Sequence, residues 1–150
     1  AGRLASQRDQ LRRRLVPSEM VCTQSDMAWY PASNLILQSD AWAGAQVGAG
    51  PPALRLPSVH YITPESETTS HYFVAIARNV NINDVAEDGN MMDLVLKAFI
   101  EEDEPMIRGC QDLMGTTDLM ALKPVILETD RAAILARRIT SRMIRDETRE

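Results

Sequence analysis

The chain has 150 residues, of which 45% are hydrophobic and 25% charged, a composition typical of one globular domain. Its net charge of −5 gives no general attraction to nucleic acid, and no apolar run is long enough to span a bilayer. Cys22 and Cys110 belong to no paired ligand motif, which argues against a structural zinc or iron–sulfur site. We therefore expect a single soluble domain over residues 1–150, in the reducing environment of the cytoplasm, that binds neither nucleic acid nor membrane.

The first third of the chain offers few candidate functional residues. The segment QRDQLRRRLVP is basic but has no interleaved aromatic residues, so a solvated segment is favoured over a nucleic-acid patch. Residues 19–40 mix β-forming residues with turn residues and predict two short strands around Pro31. The stretch AWAGAQVGAGPPA predicts an irregular loop and contains no phosphate-binding glycine motif.

The clearest strand pattern is a hairpin that contains both histidines of the chain. ALRLPSVHYIT and TSHYFVAIARN read as two strands joined by a polar turn with its midpoint near Glu65 and Ser66. This spacing places His60 almost opposite His71. A symmetric register puts both side chains on one face of the sheet, whereas a slip of one residue puts them on opposite faces.

A long helix is predicted over NMMDLVLKAFIEEDEPMIRGCQDLMG, after NINDVAEDG. Asp103 is the only ionisable residue on its apolar stripe, so we expect it to face the core and to need a partner. Pro105 should kink or loosen the helix near Asp103, because its ring clashes with the carbonyl of Glu101. Two other interpretations of Asp103 are a structural ion pair and a half-exposed edge position. The members of the stripe are Met92, Leu96, Phe99, Ile100, Asp103, Ile107, Cys110 and Met114.

The last element, ETDRAAILARRITSRMIRDE, predicts an amphipathic helix with Thr129 or Asp130 as its N-cap. Its arginines form a basic strip that is better explained as a solvated face than as a docking surface. Strands first and helices last favour an α+β domain, with an antiparallel sheet packed against long C-terminal helices.

The order of these features resembles the C-terminal catalytic domain of Rieske-type non-haem iron oxygenases, in the vanillate O-demethylase and dicamba monooxygenase subgroup. The resemblance begins with the turn at His60, Thr63, Pro64 and Glu65. It continues through His71-Tyr72-Phe73, Arg78-Asn79 and Glu102-Asp103, and is loose before Leu54.

The resemblance implies a helix-grip fold, in which a curved antiparallel sheet packs against a long C-terminal helix around a ligand cavity, here as a partial domain. It also implies that Asp103 is the carboxylate ligand of a mononuclear iron(II) site, whose other ligands are two histidines. His60 is implied to contact the substrate through a carboxylate or methoxy oxygen. Asn34 and Leu94 are implied to line the same pocket, with Leu94 where some relatives have a tryptophan.

The sequence lacks the other cofactor motifs of that family. It contains no His-x4-His pair for the iron and no Cys-x-His or Cys-x-x-His ligands for a [2Fe-2S] Rieske cluster. The resemblance implies that the chain is part of an oxygenase that acts on an aromatic acid, works with a reductase partner and assembles as a homotrimer. We expect the isolated chain to be inactive. The alternative is a stand-alone helix-grip module that binds a small molecule without redox chemistry. A metal site formed within this chain by the triad of His60, His71 and Asp103 would require the symmetric hairpin register.

Overall fold

The computed structural model describes residues 16, 21–31, 33–44, 46–48 and 50–149. The basic segment at the start of the chain lies outside these residues, except for Val16. The strands are β1 (Val21–Tyr30), β2 (Asn34–Ala43), β3 (Leu54–Pro64) and β4 (Ser70–Ile76). The helices are α1 (Val85–Leu96), a π-helical segment (Lys97–Asp103), α2 (Glu104–Met114) and α3 (Arg131–Glu147), with short 3-10 turns at Leu119–Leu122 and Glu128–Asp130.

The four strands form one antiparallel sheet in the order β1-β2-β3-β4. Both predicted strand pairs, the one around Pro31 and the hairpin of β3 and β4, are confirmed. The first strand pair extends beyond the expected loop boundary, since β2 continues to Ala43. In the hairpin, His60 pairs with Val74 and Thr63 pairs with His71. The two histidines therefore lie three positions out of register, which places their side chains on opposite faces of the sheet.

One face of the sheet, which we call the inner face, packs against the long helix. Ala41 of β2 and Leu54 of β3 are paired neighbours on this face, and both are buried with Met91 of α1 and with Val16. Leu56 and Leu94 are partly buried against the same cluster. The small core thus joins one end of the sheet to the middle of α1, and it fixes where the rest of the helix crosses β3 and β4.

The long helix begins earlier than the apolar pattern predicts. Asp84 is its N-cap, and one carboxylate oxygen accepts hydrogen bonds from the backbone N–H groups of Ala86 (3.0 Å) and Glu87 (3.2 Å). The sequence pattern predicted that the helix begins at Asn90, after the segment NINDVAEDG. A capping carboxylate satisfies N–H groups that would otherwise lack partners, and it outweighs the weak helix propensity of Gly89 and Asn90.

The predicted loosening of the helix near Asp103 is confirmed. Between Lys97 and Asp103 the helix widens to π geometry, and the backbone N–H of Glu104 donates to the carbonyl of Phe99, five residues earlier. Pro105 has no N–H to donate to the carbonyl of Glu101, and its ring would clash with that carbonyl in a regular α-helix. The wider turn relieves this clash just before the proline, and α2 then resumes and ends at Gly115 in the left-handed conformation.

The junction between β4 and α1 is organised by Arg78 and Asn79. The guanidinium of Arg78 donates to the backbone carbonyls of Val80 (3.0 Å), Asn81 (2.7 Å) and Asp84 (3.1 Å). It also pairs with Asp88 at 2.5 Å, while its side chain is only 9% exposed. Asn79 accepts a hydrogen bond from the backbone N–H of Arg55 on β3 (2.6 Å). These two residues therefore tie the loop to the sheet and to the first turns of α1.

Near the C-terminus, α3 begins at Arg131, directly after the predicted cap Asp130. The Asp130 carboxylate accepts a hydrogen bond from the backbone N–H of Leu127 (2.9 Å) rather than from the helix itself. An open antiparallel sheet followed by helices confirms the α+β class and is consistent with a partial helix-grip domain. Within the described residues, none of the helices combines the length and apolar character needed to cross a membrane.

Candidate functional site

Three aromatic rings meet on the inner face of the sheet where the π-helical segment crosses β3 and β4. His60 of β3 and Tyr72 of β4 stack with their ring centroids 5.9 Å apart. Phe99 of the π-helical segment lies edge-on to Tyr72 at 5.2 Å and 6.2 Å from His60. These contacts anchor the middle of the long helix to the hairpin. We call this group, with Ser58, the His60 cluster.

The imidazole of His60 is held from both sides by hydroxyl groups. Its Nε2 lies 2.9 Å from Ser58 Oγ, and its Nδ1 lies 2.6 Å from Tyr72 Oη. Ser58 and His60 are both buried, and they are two residues apart on β3, so strand alternation puts them on the same face. Tyr72 reaches the ring from the neighbouring strand. The result is a continuous chain of polar groups that runs from the interior outward to Tyr72.

Asp103 lies beside this cluster, one helical turn beyond Phe99. Burial raises the pKa of the Tyr72 hydroxyl, and the negative charge of Asp103 raises it further. Tyr72 is therefore uncharged at neutral pH. The carboxylate of Asp103 is thus close enough to Tyr72 for its charge to act on the tyrosine hydroxyl.

The expectation that Asp103 faces the core is wrong, because its side chain is exposed. The apolar residues around it on the same stripe are also exposed, with Ile100 at 61% and Ile107 at 69%. The helix touches the sheet at Met91, Leu94 and Phe99. From Ile100 to Cys110, every member of this stripe is exposed. An amphipathic stripe predicts which side of a helix is apolar, but burial also requires an element packed against it.

The carboxylate of Asp103 has no ion pair and no side-chain hydrogen bond within the described part of the chain. Ion pairs in that part of the chain join other residues, among them Arg55 with Asp40, His71 with Glu65, Arg78 with Asp88 and Arg108 with Glu104. A structural ion pair, one of the alternative interpretations of Asp103, is therefore not seen. Such a carboxylate, exposed beside a polar cluster and not paired with a cationic side chain, is available to bind a metal ion.

The other two predicted site residues differ in position. Leu94 lies on the helix side of the sheet, half-buried against the core and one turn before Phe99. Asn34 begins β2 and pairs with Tyr61, so its side chain lies on the outer face, opposite that of His60. The structure therefore brings His60, Leu94 and Asp103 to one side of the sheet and leaves Asn34 on the other. Their roles in substrate binding stay predictions.

His71 is remote from this cluster. It is exposed on the outer face, where its Nε2 lies 3.6 Å from Glu65. The register of the hairpin thus excludes a metal site formed by the triad of His60, His71 and Asp103. Among residues 16, 21–31, 33–44, 46–48 and 50–149, no group of three or more histidine, cysteine or carboxylate side chains could hold a metal ion. Within those residues, Asp103 is therefore not part of a complete metal site.

A pocket shared by His60 and Asp103 was predicted, but two depressions in the described part of the chain lie elsewhere. One, of about 660 Å³, is formed by residues 81–86 at the start of α1. The other, of about 470 Å³, is lined by Trp42, Arg55 and Asn79 with the glycine–proline loop. The His60 cluster is instead reached from an open side, since Tyr72 is 45% exposed.

Three members of the His60 cluster were not predicted as site residues. Ser58 could have been found from the two-residue alternation of β3, which places it on the face of His60. Tyr72 and Phe99 appear in the sequence motifs, but their contacts with His60 depend on the strand register and on the helix crossing. The register follows from the geometry of the hairpin turn and the crossing from long-range packing, and the motifs themselves reveal neither.

Comparison with known proteins gives the family. Residues 5–146 match the family described as vanillate O-demethylase oxygenase C-terminal domain. The oxygenase component of chloroacetanilide N-alkylformylase from Rhizorhabdus wittichii is 36% identical over 96 residues, which is 64% of this chain and 28% of that protein. The oxygenase component of dicamba O-demethylase from Stenotrophomonas maltophilia is 29% identical over 75 residues, 50% of this chain and 22% of that protein.

An iron–sulfur subunit of the toluene-4-sulfonate monooxygenase system from Comamonas testosteroni is 30% identical over 104 residues, 65% of this chain and 29% of that protein. No solved structure shows significant similarity to the chain. The chain thus spans less than a third of the length of these curated relatives. Since the family match covers nearly all of its residues, the chain belongs to the vanillate O-demethylase oxygenase C-terminal domain family.

Proposed function

We propose that this chain is the C-terminal catalytic portion of a Rieske non-haem iron oxygenase that demethylates or hydroxylates an aromatic acid. The observation that carries the proposal is the position of Asp103, an unpaired carboxylate beside the His60 cluster, in a chain that belongs to this family. The names of the relatives support the same class of chemistry, since they are oxygenase components and iron–sulfur subunits.

In this proposal Asp103 is one ligand of an iron(II) ion, and two histidines from another part of the full-length oxygenase complete the site. Iron held by two histidines and one carboxylate keeps open positions at which dioxygen can be activated. The residues of this chain have simpler tasks. His60 and Tyr72 provide polar contacts for the substrate, and Phe99 and Leu94 provide apolar contacts for its ring.

Three further features belong to the same proposal. A [2Fe-2S] cluster on a Rieske domain of the full-length protein would supply electrons to the iron, and a reductase partner would supply electrons to that cluster. The assembly is a homotrimer, as the resemblance implies, and its packing would cover apolar side chains that are exposed in this chain. A cytoplasmic location fits the two free cysteines, Cys22 and Cys110.

The test begins with the reading frame that contains this chain. If the proposal is right, the frame also encodes Cys-x-His, Cys-x-x-His and His-x4-His upstream. A reading frame without these motifs would contradict the oxygenase assignment and favour the binding module that the sequence analysis left open.

The second test measures iron in the purified full-length protein. We expect Asp103→Asn to lose the mononuclear iron and the turnover of aromatic acids while the absorbance of the Rieske cluster is retained. Asp118→Asn is the matched control, because Asp118 caps a 3-10 turn and lies outside the His60 cluster. Full retention of iron in Asp103→Asn would show that Asp103 is not a ligand.

A further inference from the structure

The depression of about 470 Å³ beside the glycine–proline loop lies on the outer face of the sheet. Arg55 of β3 lines it and directly follows Leu54, whose side chain is buried in the core of the inner face. Successive side chains of a strand point to opposite faces, so Arg55 points away from the His60 cluster. The volume is within the range of small-molecule sites, about 300–1,000 Å³.

The apolar part of the lining is held in place by a hydrogen bond. It consists of Trp42, Pro51 and Pro52. The indole of Trp42 is only 8% exposed, and its N–H donates to the backbone carbonyl of Gly50 at 3.0 Å, which ties the loop to the sheet. Proline rings and the indole edge together form a rigid apolar wall, against which the flat hydrocarbon part of a ligand can pack.

The side chain of Asn79 contributes hydrogen-bond donors to the same depression. Its Oδ1 accepts from the backbone N–H of Arg55 at 2.6 Å, and this contact fixes the orientation of the amide, because only the oxygen can accept. Within the described part of the chain, the amide nitrogen of Asn79 has no acceptor. Two N–H groups of this side chain are therefore left for a ligand.

The guanidinium of Arg55 is held loosely by Asp40. Its Nε lies 3.4 Å from Oδ1 of Asp40 and its Nη2 lies 3.5 Å from Oδ2, longer than the about 2.7–2.9 Å of a strong charge-assisted hydrogen bond. The side chain of Arg55 is 52% exposed. Asp40 also accepts a hydrogen bond from the amide of Gln38, so it keeps a partner when Arg55 turns toward another anion.

The donors of Arg55 and Asn79 match a carboxylate. A guanidinium presents paired N–H groups in the plane that the two oxygens of a carboxylate require. The apolar wall adds contacts for an organic acid that an inorganic anion cannot make. The negative charge of Asp40 opposes any anion, because Arg55 then serves two carboxylates, so the affinity of the site should be modest.

We propose that this depression is a binding site for a small organic carboxylate with a planar apolar body, for which benzoate is the probe. Arg55 and Asn79 donate to the carboxylate, and the body packs against Pro51 and Pro52. This site does not rest on the proposed function, because none of these residues belongs to the His60 cluster or to the helix that carries Asp103.

The experiment follows fluorine NMR of the full-length protein that contains this chain, labelled with 5-fluorotryptophan. The resonance of Trp42 is identified by its loss in Trp42→Phe. We expect sodium benzoate to shift this resonance until the site is saturated. Benzamide has the same shape without the charge and should bind at least about tenfold more weakly, the value of a hydrogen bond to a charged group. Acetate and inorganic phosphate, which lack the planar body, should also bind more weakly than benzoate.

Three substitutions test the roles of the side chains. Arg55→Met should weaken benzoate binding about tenfold, whereas the control Arg137→Met, at an exposed position of α3, should not change it. Asn79→Asp keeps the oxygen that accepts from the backbone N–H of Arg55 but replaces the donors by a negative charge, and it should abolish binding. Asp40→Asn should instead strengthen binding by about threefold, because the competing carboxylate of a surface ion pair is removed.

Opposite effects of Arg55→Met and Asp40→Asn would support the site, since a purely structural role of these residues predicts no gain in binding. The site would be overturned by the absence of a saturable shift of the Trp42 resonance, by equal binding of benzoate and benzamide or phosphate, or by equal binding in Arg55→Met and Arg137→Met. Circular dichroism checks that each variant is folded; if Asn79→Asp is not, the other two variants decide. Failure of this site leaves the proposed function standing, because the iron content of Asp103→Asn tests that function separately.

Discussion

The substitution Arg78→Met is expected to destabilise the fold strongly, although Arg78 lies in a loop. Its guanidinium donates to three backbone carbonyls between Val80 and Asp84 and holds the start of α1 against the sheet. Methionine keeps much of the length of the side chain and removes every donor. A net value of about 1 kcal/mol for each lost hydrogen bond gives a loss of about 3 kcal/mol in the free energy of unfolding. The ion pair with Asp88 adds little, because that carboxylate is 62% exposed.

The measurement is urea unfolding followed by far-ultraviolet circular dichroism. The matched control is Arg55→Met, because Arg55 is 52% exposed and pairs with Asp40 at 3.4 Å, so its loss should cost less than about 1 kcal/mol. Arg78→Lys keeps the charge but cannot reach several carbonyls at once, and we expect an intermediate loss. A cost below about 1 kcal/mol for Arg78→Met would falsify the view that this side chain holds the junction together.

Three further predictions concern Asp103 and the metal. Asp103→Asn should lower the pKa of Tyr72 toward its ordinary value, because it removes a nearby negative charge. The control Asp146→Asn should leave that pKa unchanged. Near-ultraviolet absorbance across alkaline pH measures the ionisation of the tyrosine. Since the folded state binds the Tyr72 proton more tightly, stability should fall as the pH rises from about 10 through the raised pKa, and less so in Asp103→Asn. Asp103→Leu should change the free energy of unfolding by no more than about 0.5 kcal/mol because the side chain is exposed; a gain of 1 kcal/mol or more would instead match the buried carboxylate expected from the sequence. The isolated chain should purify with less than stoichiometric iron and without Rieske absorbance, and one tightly held iron that is lost in Asp103→Asn would contradict this.

The sequence alone determined most of the local structure. Runs of β-forming residues separated by polar turn residues located the four strands, because β-branched and aromatic residues favour strands and small polar residues favour turns. The clash between Pro105 and the carbonyl of Glu101 predicted an irregular turn before the proline, and the structure has its π-helical segment there. The motifs from His60 to Asp103 were sufficient to indicate the family, since they depend on the order of residues and not on their packing.

Only the tertiary structure decided which side chains meet. The hairpin turn spans residues 65–69, where Ser66 and Thr69 bond to each other at 2.6 Å, so its centre lies beyond the predicted midpoint. That displacement separates His60 from His71 and brings Tyr72 beside His60. The exposure of Asp103 was equally hidden, because the apolar pattern of a helix does not reveal whether another element covers it. The register depends on the geometry of the hairpin turn, and the coverage of the helix depends on residues far from it in the sequence.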